Sequence, residues 1–208
     1  GDVDGAAVDF DNDGRLDLSV SRERKYEGNY ADDEQKGYFG LMHQRADGSF
    51  ESLTMVSGIN VPEDSYAPWR MKGAQNHAWA DIDHDGDLDL LVGGRRTSNG
   101  RPNFLFRNDI GSSNPWFALK VSGDGVHVNR DGIGTRVELV YGDKTLTREV
   151  KMSRGMHNSM DTRVLHMGLG DFGCEFELRV RWPDGRQEVV DTSGMELGNF
   201  YELDYVEG

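Results

Sequence analysis

The chain contains a single cysteine, Cys174, so it can form no internal disulfide. We expect its thiol to be a small, buried apolar group. The sequence lacks any run of about 18 apolar residues, so no membrane-spanning helix is predicted within it. Basic residues are scarce: 23 lysines and arginines stand against 37 aspartates and glutamates, which gives a net charge of −14. This acidic balance disfavours non-specific binding to nucleic acids and to anionic lipid.

The common sequence signatures of catalysis are missing as well. There is no Gly-x-Ser-x-Gly nucleophile elbow and no Gly-x-x-x-x-Gly-Lys-Ser/Thr phosphate-binding loop. The six histidines show no metal-ligand spacing. His157 and His166 bracket a segment with methionines that could bind a soft metal, but packing of these methionines between strands is favoured. We therefore expect no catalytic residues and no enzymatic activity.

Glycine is abundant and hydrophobic content is low, with 27 glycines and 36% hydrophobic residues. This composition favours many short strands joined by turns over long helices. Apolar and polar residues alternate over residues 137–141 and 176–182, and this period of two predicts half-buried antiparallel strands. The same alternation places Trp182 in the core. The predicted fold class is all-β, with no helix beyond a turn near residues 193–197.

Strand and loop segments follow from the same patterns. Beyond the strands that flank the acidic loops described next, strands are predicted at residues 38–44, 103–108, 116–121, 135–141, 146–152, 164–169, 175–182, 187–191 and 200–205. Residues 46–50 carry a hairpin turn signal. The charge-rich residues 21–36 are expected to be a solvated excursion.

Two acidic loops carry one pattern, 72 residues apart. Each has aspartate at the first, third, fifth and ninth positions and glycine at the sixth, and each leads into an apolar strand. The candidate ligands are Asp9, Asp11, Asp13, Arg15 and Asp17 in the first loop, and Asp81, Asp83, Asp85, Asp87 and Asp89 in the second. The seventh-position residues are included for their main-chain carbonyls. A repeated strand-loop-strand unit indicates stacked or radially arranged sheets.

Carboxylates at these positions of a tight loop can converge on one cation. Gly14 and Gly86 permit the sharp turn, and all-oxygen ligation suits Ca²⁺, at roughly 2.3–2.6 Å per bond, better than Mg²⁺ or Zn²⁺. An EF-hand loop begins with the same spacing, but its twelfth position needs a bidentate glutamate, and here Val20 or Val92 stands there. The sequence therefore predicts two Ca²⁺ sites.

The acidic loops have two other possible interpretations. An acidic, turn-rich surface without metal would leave four carboxylates repelling one another, twice over. Paired carboxylates acting as catalytic acid and base are disfavoured because the repeat is too regular to form a single active site.

The residues around the loops resemble a known repeat. Segments 6–18 and 78–90 resemble the calcium-binding FG-GAP/VCBS repeat of integrin-α-type β-propellers. The second half resembles the ASPIC/UnbV domain, through the Asn-Arg-Asp-Gly-Ile-Gly core at 129–138 and further matches at 147–150, 165–170 and 180–186. Residues 154–160 depart from the Gly-Tyr-Leu-Ser-Gln-like segment usual in that family.

The resemblance is to proteins of the cartilage acidic protein type, which carry several FG-GAP repeats followed by one ASPIC/UnbV domain. It implies a secreted, cell-surface or periplasmic protein that binds partners, without established catalytic residues. No signal peptide is visible, and Gly1 lies inside a repeat-like segment, so we expect the chain to be part of a longer precursor.

The predicted organisation is two domains. Residues 1–113 would form two propeller-blade-like units with calcium at the blade loops, and residues 116–208 a compact β-sandwich or barrel. Two blades cannot close a propeller, so either upstream blades precede them or their edges pair with another chain.

The leading functional hypothesis is an extracellular calcium-binding module for adhesion or for binding a protein or glycan partner, without enzymatic activity. It could belong to a larger complex, and neither nucleic-acid binding nor direct membrane insertion is expected. One alternative is a structural subunit of a larger surface or membrane-associated assembly. The other is an accessory domain of a carbohydrate-active enzyme.

Overall fold

A computed structural model describes residues 2–22, 39–60, 74–93, 103–111, 113–154, 159–160, 162–170 and 175–207. Within these residues all regular secondary structure is β-strand, which confirms the predicted all-β class. None of them forms a helix long and apolar enough to cross a membrane. The chain divides into two compact units, the first made of Gly1–Phe10, Arg15–Asp109 and Ser153–Asp161, the second of Asp11–Gly14, Ile110–Met152 and Thr162–Gly208.

The first unit contains two open antiparallel sheets. Its strands are β1 (Asp2–Val8), β2 (Asp17–Arg22), β3 (Phe39–Gln44), β4 (Phe50–Ser52), β5 (Asn76–Ala80), β6 (Asp89–Gly93) and β7 (Asn103–Phe106). In the part of the chain that the structure describes, the sheet orders are β1-β2-β3-β4 and β5-β6-β7, so each sheet is a meander and neither closes. The predicted hairpin turn at residues 46–50 is confirmed, because β3 and β4 pair in antiparallel register around it.

Alternate residues of these two sheets share one hydrophobic core. Its buried members are Ala6, Val8, Phe10, Phe39, Leu41, Ile59, Ala74, Trp79, Leu88, Leu90 and Val92. Phe39 and Trp79, whose ring centroids lie 6.5 Å apart, bring β3 and β5 together. Burial of these side chains stabilises the packing of the strands that flank both acidic loops.

The second unit is a β-sandwich of two open sheets. Its strands are β8 (Trp116–Ser122), β9 (Arg136–Tyr141), β10 (Lys144–Glu149), β11 (Val164–Gly168), β12 (Glu177–Arg181), β13 (Gln187–Val190) and β14 (Asn199–Asp204). The sheet orders are β10-β9-β12-β13 and β11-β8-β14. The antiparallel pairing of β9 with β12 confirms the expectation from their alternating residues.

Strand β14 was predicted, but its direction was not: it pairs with β8 in parallel. The preceding strand β13 lies in the other sheet of the sandwich, so the chain changes sheets before β14 and enters its new sheet beside β8. A period of two identifies a half-buried strand and leaves its direction open, which is why the alternation could not predict this pairing.

The core of the second unit lies between its two sheets and includes Phe117, Leu139, Met167, Leu178 and Trp182, all nearly inaccessible to solvent. Trp182 therefore faces the core, as predicted, and its Nε1 donates a hydrogen bond to Glu188 Oε1 at 2.7 Å. Of the methionines predicted to pack between strands, Met167 lies in the core, whereas Met160 is exposed.

Three predictions fall on parts of the chain that the structure describes incompletely. Strand β2 continues through Ser21 and Arg22, so the charge-rich excursion was predicted to begin two residues too early. The rest of that excursion, residues 23–36, lies outside the described residues, as do Cys174 and His157.

Candidate metal-binding loops

Each acidic loop is the turn of an antiparallel hairpin, formed by β1 and β2 or by β5 and β6. The backbone is left-handed at the fourth and sixth positions of both loops. The φ angles are 58° at Asn12, 87° at Gly14, 64° at His84 and 93° at Gly86. Glycine adopts such angles without steric cost and asparagine tolerates them. The repeated sequence pattern therefore produces the same turn twice.

The turn brings the first three aspartates of each loop together. In the second loop Asp81, Asp83 and Asp85 each offer a carboxylate oxygen, and these atoms lie within 4.8 Å of one another. Along the first loop Asp9, Asp11 and Asp13 meet the same criterion. Carboxylates this close repel one another, and together they supply the oxygen donors that a hard divalent cation prefers.

Asp81 has one oxygen in contact with the main chain and one without a donor. The Gly86 N–H donates to Asp81 Oδ2 at 3.2 Å. Oδ1 is buried and accepts no hydrogen bond from any described residue. Burial raises the pKa of the Asp81 carboxyl, against the lowering effect of main-chain hydrogen bonds. A buried carboxylate oxygen without a donor is costly, and a cation would satisfy it, so the donor set fits Ca²⁺.

The seventh-position residues, Arg15 and Asp87, are predicted to bind the cation through their main-chain carbonyls. Their side chains differ. Arg15 donates from Nε to Gln44 O at 2.8 Å, at the end of β3. The Asp87 side chain is buried, and burial, reinforced by Asp85, raises the pKa of its carboxyl to about 6. The Asp87 N–H donates to Asp85 Oδ1 at 2.9 Å, which holds the fifth-position carboxylate in the turn.

The ninth-position aspartate of the second loop binds main-chain donors. Asp89 Oδ2 accepts from Ile82 N at 3.0 Å, and Oδ1 accepts from Asn108 N at 2.9 Å. Asp89 is buried, so these bonds lie in a low-dielectric environment where charge-assisted hydrogen bonds are strong. The carboxylate connects the start of the loop with the residues that follow β7.

Asp17 repeats this arrangement in the first loop. Its Oδ2 accepts from Phe10 N at 3.3 Å and its Oδ1 from Gln44 N at 2.7 Å, while His43 Nδ1 lies 3.1 Å from Oδ1. Asp17 and Asp89 thus brace the loops against their sheets, and their additional role as cation ligands stays a prediction.

Sequence reasoning missed Gln44 and Asn108, the partners of the ninth-position aspartates. Asn108 also donates from Nδ2 to Phe10 O at 2.6 Å and to Leu88 O at 3.2 Å. Both residues are polar and stand at the end of, or just after, the second strand that follows an acidic motif. That shared position was the available signal, but only the sheet register shows which carboxylate each one meets.

A buried polar network lies in the first unit around His77. Its Nε2 is 2.8 Å from Ser19 Oγ, and its Nδ1 is 2.7 Å from Ser21 Oγ and 3.4 Å from Asp4 Oδ2. Arg154 Nη2 donates to His77 O at 2.6 Å. Burial and the Arg154 guanidinium lower the pKa of His77 to about 3, so the imidazole is neutral. These residue types can form a catalytic triad, but His77, Ser19 and Asp4 are buried from solvent.

Two family models match the chain. Residues 9–92 are similar to the FG-GAP-like repeat, and residues 125–205 are similar to the ASPIC and UnbV family. The two matches confirm the architecture that the resemblance implied, an FG-GAP-like repeat followed by an ASPIC/UnbV domain. No curated protein is similar enough to the chain to count as a match. These two domains fit a non-enzymatic binding or adhesion module.

Proposed function

We propose that the protein is a calcium-binding, non-enzymatic module for binding or adhesion that works outside the cytoplasm. The observation that carries the proposal is the convergence of three carboxylates in each of two similar loops. The buried Oδ1 of Asp81, which accepts no hydrogen bond from the described residues, adds support. The matched FG-GAP-like repeat is typical of extracellular and periplasmic proteins.

The cation ligands in this proposal are the five candidate residues of each loop. Asp81, Asp83 and Asp85 supply carboxylate oxygens, and the Asp87 carbonyl adds another donor. Asp89 contributes through the lone pairs left after its main-chain hydrogen bonds. The first loop uses its residues at the same five positions. Bound Ca²⁺ would neutralise the clustered charge and favour the folded loop, so its role is structural.

Calorimetry tests the calcium proposal directly. The purified chain, stripped of metal with a chelator, should bind two Ca²⁺ with dissociation constants of roughly 10⁻⁴–10⁻³ M, the range of extracellular modules. Asp83→Ala should abolish the second-loop site and Asp11→Ala the first. Asp143→Ala, which removes an exposed aspartate from a turn outside both loops, is the control and should leave both sites. An absence of saturable heat from the unaltered chain would refute the proposal.

We propose that the protein has no catalytic activity, because the only Ser-His-Asp arrangement among the described residues is buried from solvent. It consists of Ser19, His77 and Asp4. A hydrolase screen with ester, peptide and glycoside substrates should give no turnover above that of Ser19→Ala. Turnover that disappears in Ser19→Ala would reverse this part of the proposal.

A location outside the cytoplasm is tested on the full-length gene product. Fractionation of the producing cells should place it in the medium, on the surface or in the periplasm. Recovery in the cytoplasmic fraction alone would contradict the proposal, because cytosolic calcium is too low to fill sites of this affinity.

A further inference from the structure

The fourth residue of the first loop, Asn12, is held from two sides within the second unit. His166 Nε2 lies 2.7 Å from Asn12 Oδ1, and Gly170 N donates to Asn12 O at 2.9 Å. Asn12 is completely buried, and its φ of 58° is left-handed. Asparagine tolerates this conformation, and the two hydrogen bonds select it over the other conformations open to the loop.

His166 is fixed in the state needed to donate to Asn12. Its ring is buried and stacks on Trp116 with centroids 5.8 Å apart. Arg148 Nε donates to the His166 carbonyl at 3.0 Å. Burial, with a smaller effect of the Arg148 charge, lowers the pKa of His166 to about 4, so the ring is neutral at pH 7. An amide oxygen only accepts, so the ring proton must be on Nε2.

The chain at the end of β11 closely approaches the same loop. A Cβ at Gly170 would lie closer than 3.0 Å to the backbone oxygen of Asp13, and a Cβ at Gly14 would lie 3.5 Å from Gly168 O. The Asn114 side chain donates from Nδ2 to Asp11 O at 2.8 Å. The main chain of the loop tip therefore accepts hydrogen bonds at Asp11 and Asn12 and is closely approached at Asp13 and Gly14.

The second loop has the same turn, but within the described residues the side chain at its fourth position has no hydrogen-bonding partner comparable to His166. Its fourth residue, His84, has a φ of 64° but an exposed side chain, and that side chain donates no hydrogen bond to the described residues. Exposed loops with few side-chain hydrogen bonds sample more conformations than buried, bonded ones. The two loops share a ligand pattern and differ in how firmly that pattern is held.

We propose that His166 is a positioning residue for the cation site of the first loop, acting through its hydrogen bond to Asn12. The proposal rests on the calcium function proposed above. Asn12 stands between Asp11 and Asp13, so fixing its backbone fixes the directions of both carboxylates before a cation arrives. The first loop is thus preorganised, and it binds Ca²⁺ more tightly than the second. Loss of a group that hydrogen-bonds a metal ligand directly typically weakens metal binding about 10–100-fold. Because His166 acts one residue further from the cation, through Asn12, we expect an effect of about tenfold, the lower end of this range.

The test isolates the first loop by calorimetry in an Asp83→Ala background, which leaves one site. His166→Ala should weaken Ca²⁺ binding at that site about tenfold. His166→Gln, which keeps a side-chain N–H donor, should recover much of the affinity. In an Asp11→Ala background, where only the second loop binds, His166→Ala should leave the affinity unchanged. A purely structural role would lower the melting temperature without this site-selective change.

Asn12→Gly tests the same bond without altering β11. Glycine accepts the left-handed φ and lacks the acceptor, so first-loop affinity should fall as in His166→Ala. His84→Gly is the matched control and should leave second-loop affinity unchanged. Equal affinity of the His166→Ala, Asn12→Gly and parent proteins would overturn the positioning role. If Asp83→Ala binds no Ca²⁺ at all, it is the calcium function that fails at the first loop.

Discussion

At the residue scale, the aspartates of one loop lie in different surroundings. We therefore expect some of them to contribute mainly to the stability of the fold and others mainly to metal affinity. Asp89 is buried and accepts hydrogen bonds from two main-chain N–H groups. Asp83 is exposed and lies in the carboxylate cluster. A carboxylate that accepts hydrogen bonds from buried N–H groups stabilises the fold. A carboxylate beside other carboxylates destabilises the fold until a cation binds between them.

Asp89→Asn should therefore lower the free energy of unfolding in EGTA by about 2 kcal/mol, because an amide cannot accept at both of its terminal atoms. Asp83→Ala should leave the free energy of unfolding in EGTA unchanged or slightly higher. Urea unfolding followed by tryptophan fluorescence measures both. Equal destabilisation by the two substitutions would show that the ninth position has no special role in bracing the loop.

His77 gives a prediction for the dependence of stability on pH. Its pKa is about 3 in the folded chain, against an ordinary value of 6.5, because it is buried beside the Arg154 guanidinium, with Asp4 opposing. Below pH 6.5 the His77 ring is protonated in the unfolded chain but stays neutral in the folded chain. Stability contributed by His77 is thus lost as pH falls from 6.5 towards 3, by up to about 1.4 kcal/mol per pH unit.

His77→Gln should reduce the slope of unfolding free energy against pH between 5.0 and 6.5, whatever its effect on absolute stability. Urea titrations in EGTA at several pH values compare the two proteins. The loop carboxylates are identical in both, so their titration cancels. Parallel slopes for His77→Gln and the parent would contradict the low pKa of His77.

At the scale of elements, the close approach at the end of β11 makes one glycine essential. Gly170 has a φ of 49°, and a Cβ there would meet the Asp13 backbone oxygen at less than 3.0 Å. Gly142 has a similar φ of 57°, and no atom of the described residues lies within 4 Å of a Cβ added there. Both positions have a left-handed φ that costs an alanine energy, and at Gly170 the added Cβ would also clash with the backbone.

Gly142→Ala should destabilise the protein by about 1 kcal/mol, the ordinary cost of a left-handed alanine. Gly170→Ala should cost at least about 2 kcal/mol more, because a backbone oxygen must shift. Chemical unfolding at pH 7 measures both. Similar losses in the two variants would mean that the loop tip moves away from β11 freely.

Most strands could be predicted from alternation, because every second side chain of a half-buried strand faces the core and is apolar. The alternation of Phe176 to Trp182 gave β12 and the burial of Trp182. The parallel pairing of β14 with β8 was missed, because direction depends on which sheet the preceding strand occupies. The extension of β2 to Arg22 was missed because polar residues within a strand resemble the start of a loop.

At the scale of the whole molecule, the net charge of −14 couples the fold to its ionic surroundings. Six of the carboxylates are gathered in two clusters, Asp9, Asp11 and Asp13 in the first loop and Asp81, Asp83 and Asp85 in the second, where they repel one another. Salt screens such repulsion over a distance that shortens to about 3 Å at 1 M. Ca²⁺ would remove the same repulsion locally by direct ligation.

In EGTA, raising NaCl from about 20 mM to about 500 mM should therefore raise the melting temperature, since screening relieves the clustered charge. With saturating Ca²⁺ the baseline should be higher and the added effect of salt smaller. Calorimetric scans of the unaltered chain, with KCl in a parallel series, measure this. A salt effect that is equal with and without Ca²⁺ would mean that the cation leaves the clusters untouched.

The sequence by itself determined the all-β class and the two acidic turns, because alternation and the glycine and aspartate spacing act over a few neighbouring residues. It could not assign separate tasks to the carboxylates of each loop. Only the tertiary structure decided that Asp17 and Asp89 brace the sheets and that Asn12 meets His166, because those partners are brought together by sheet register and close packing across long stretches of chain.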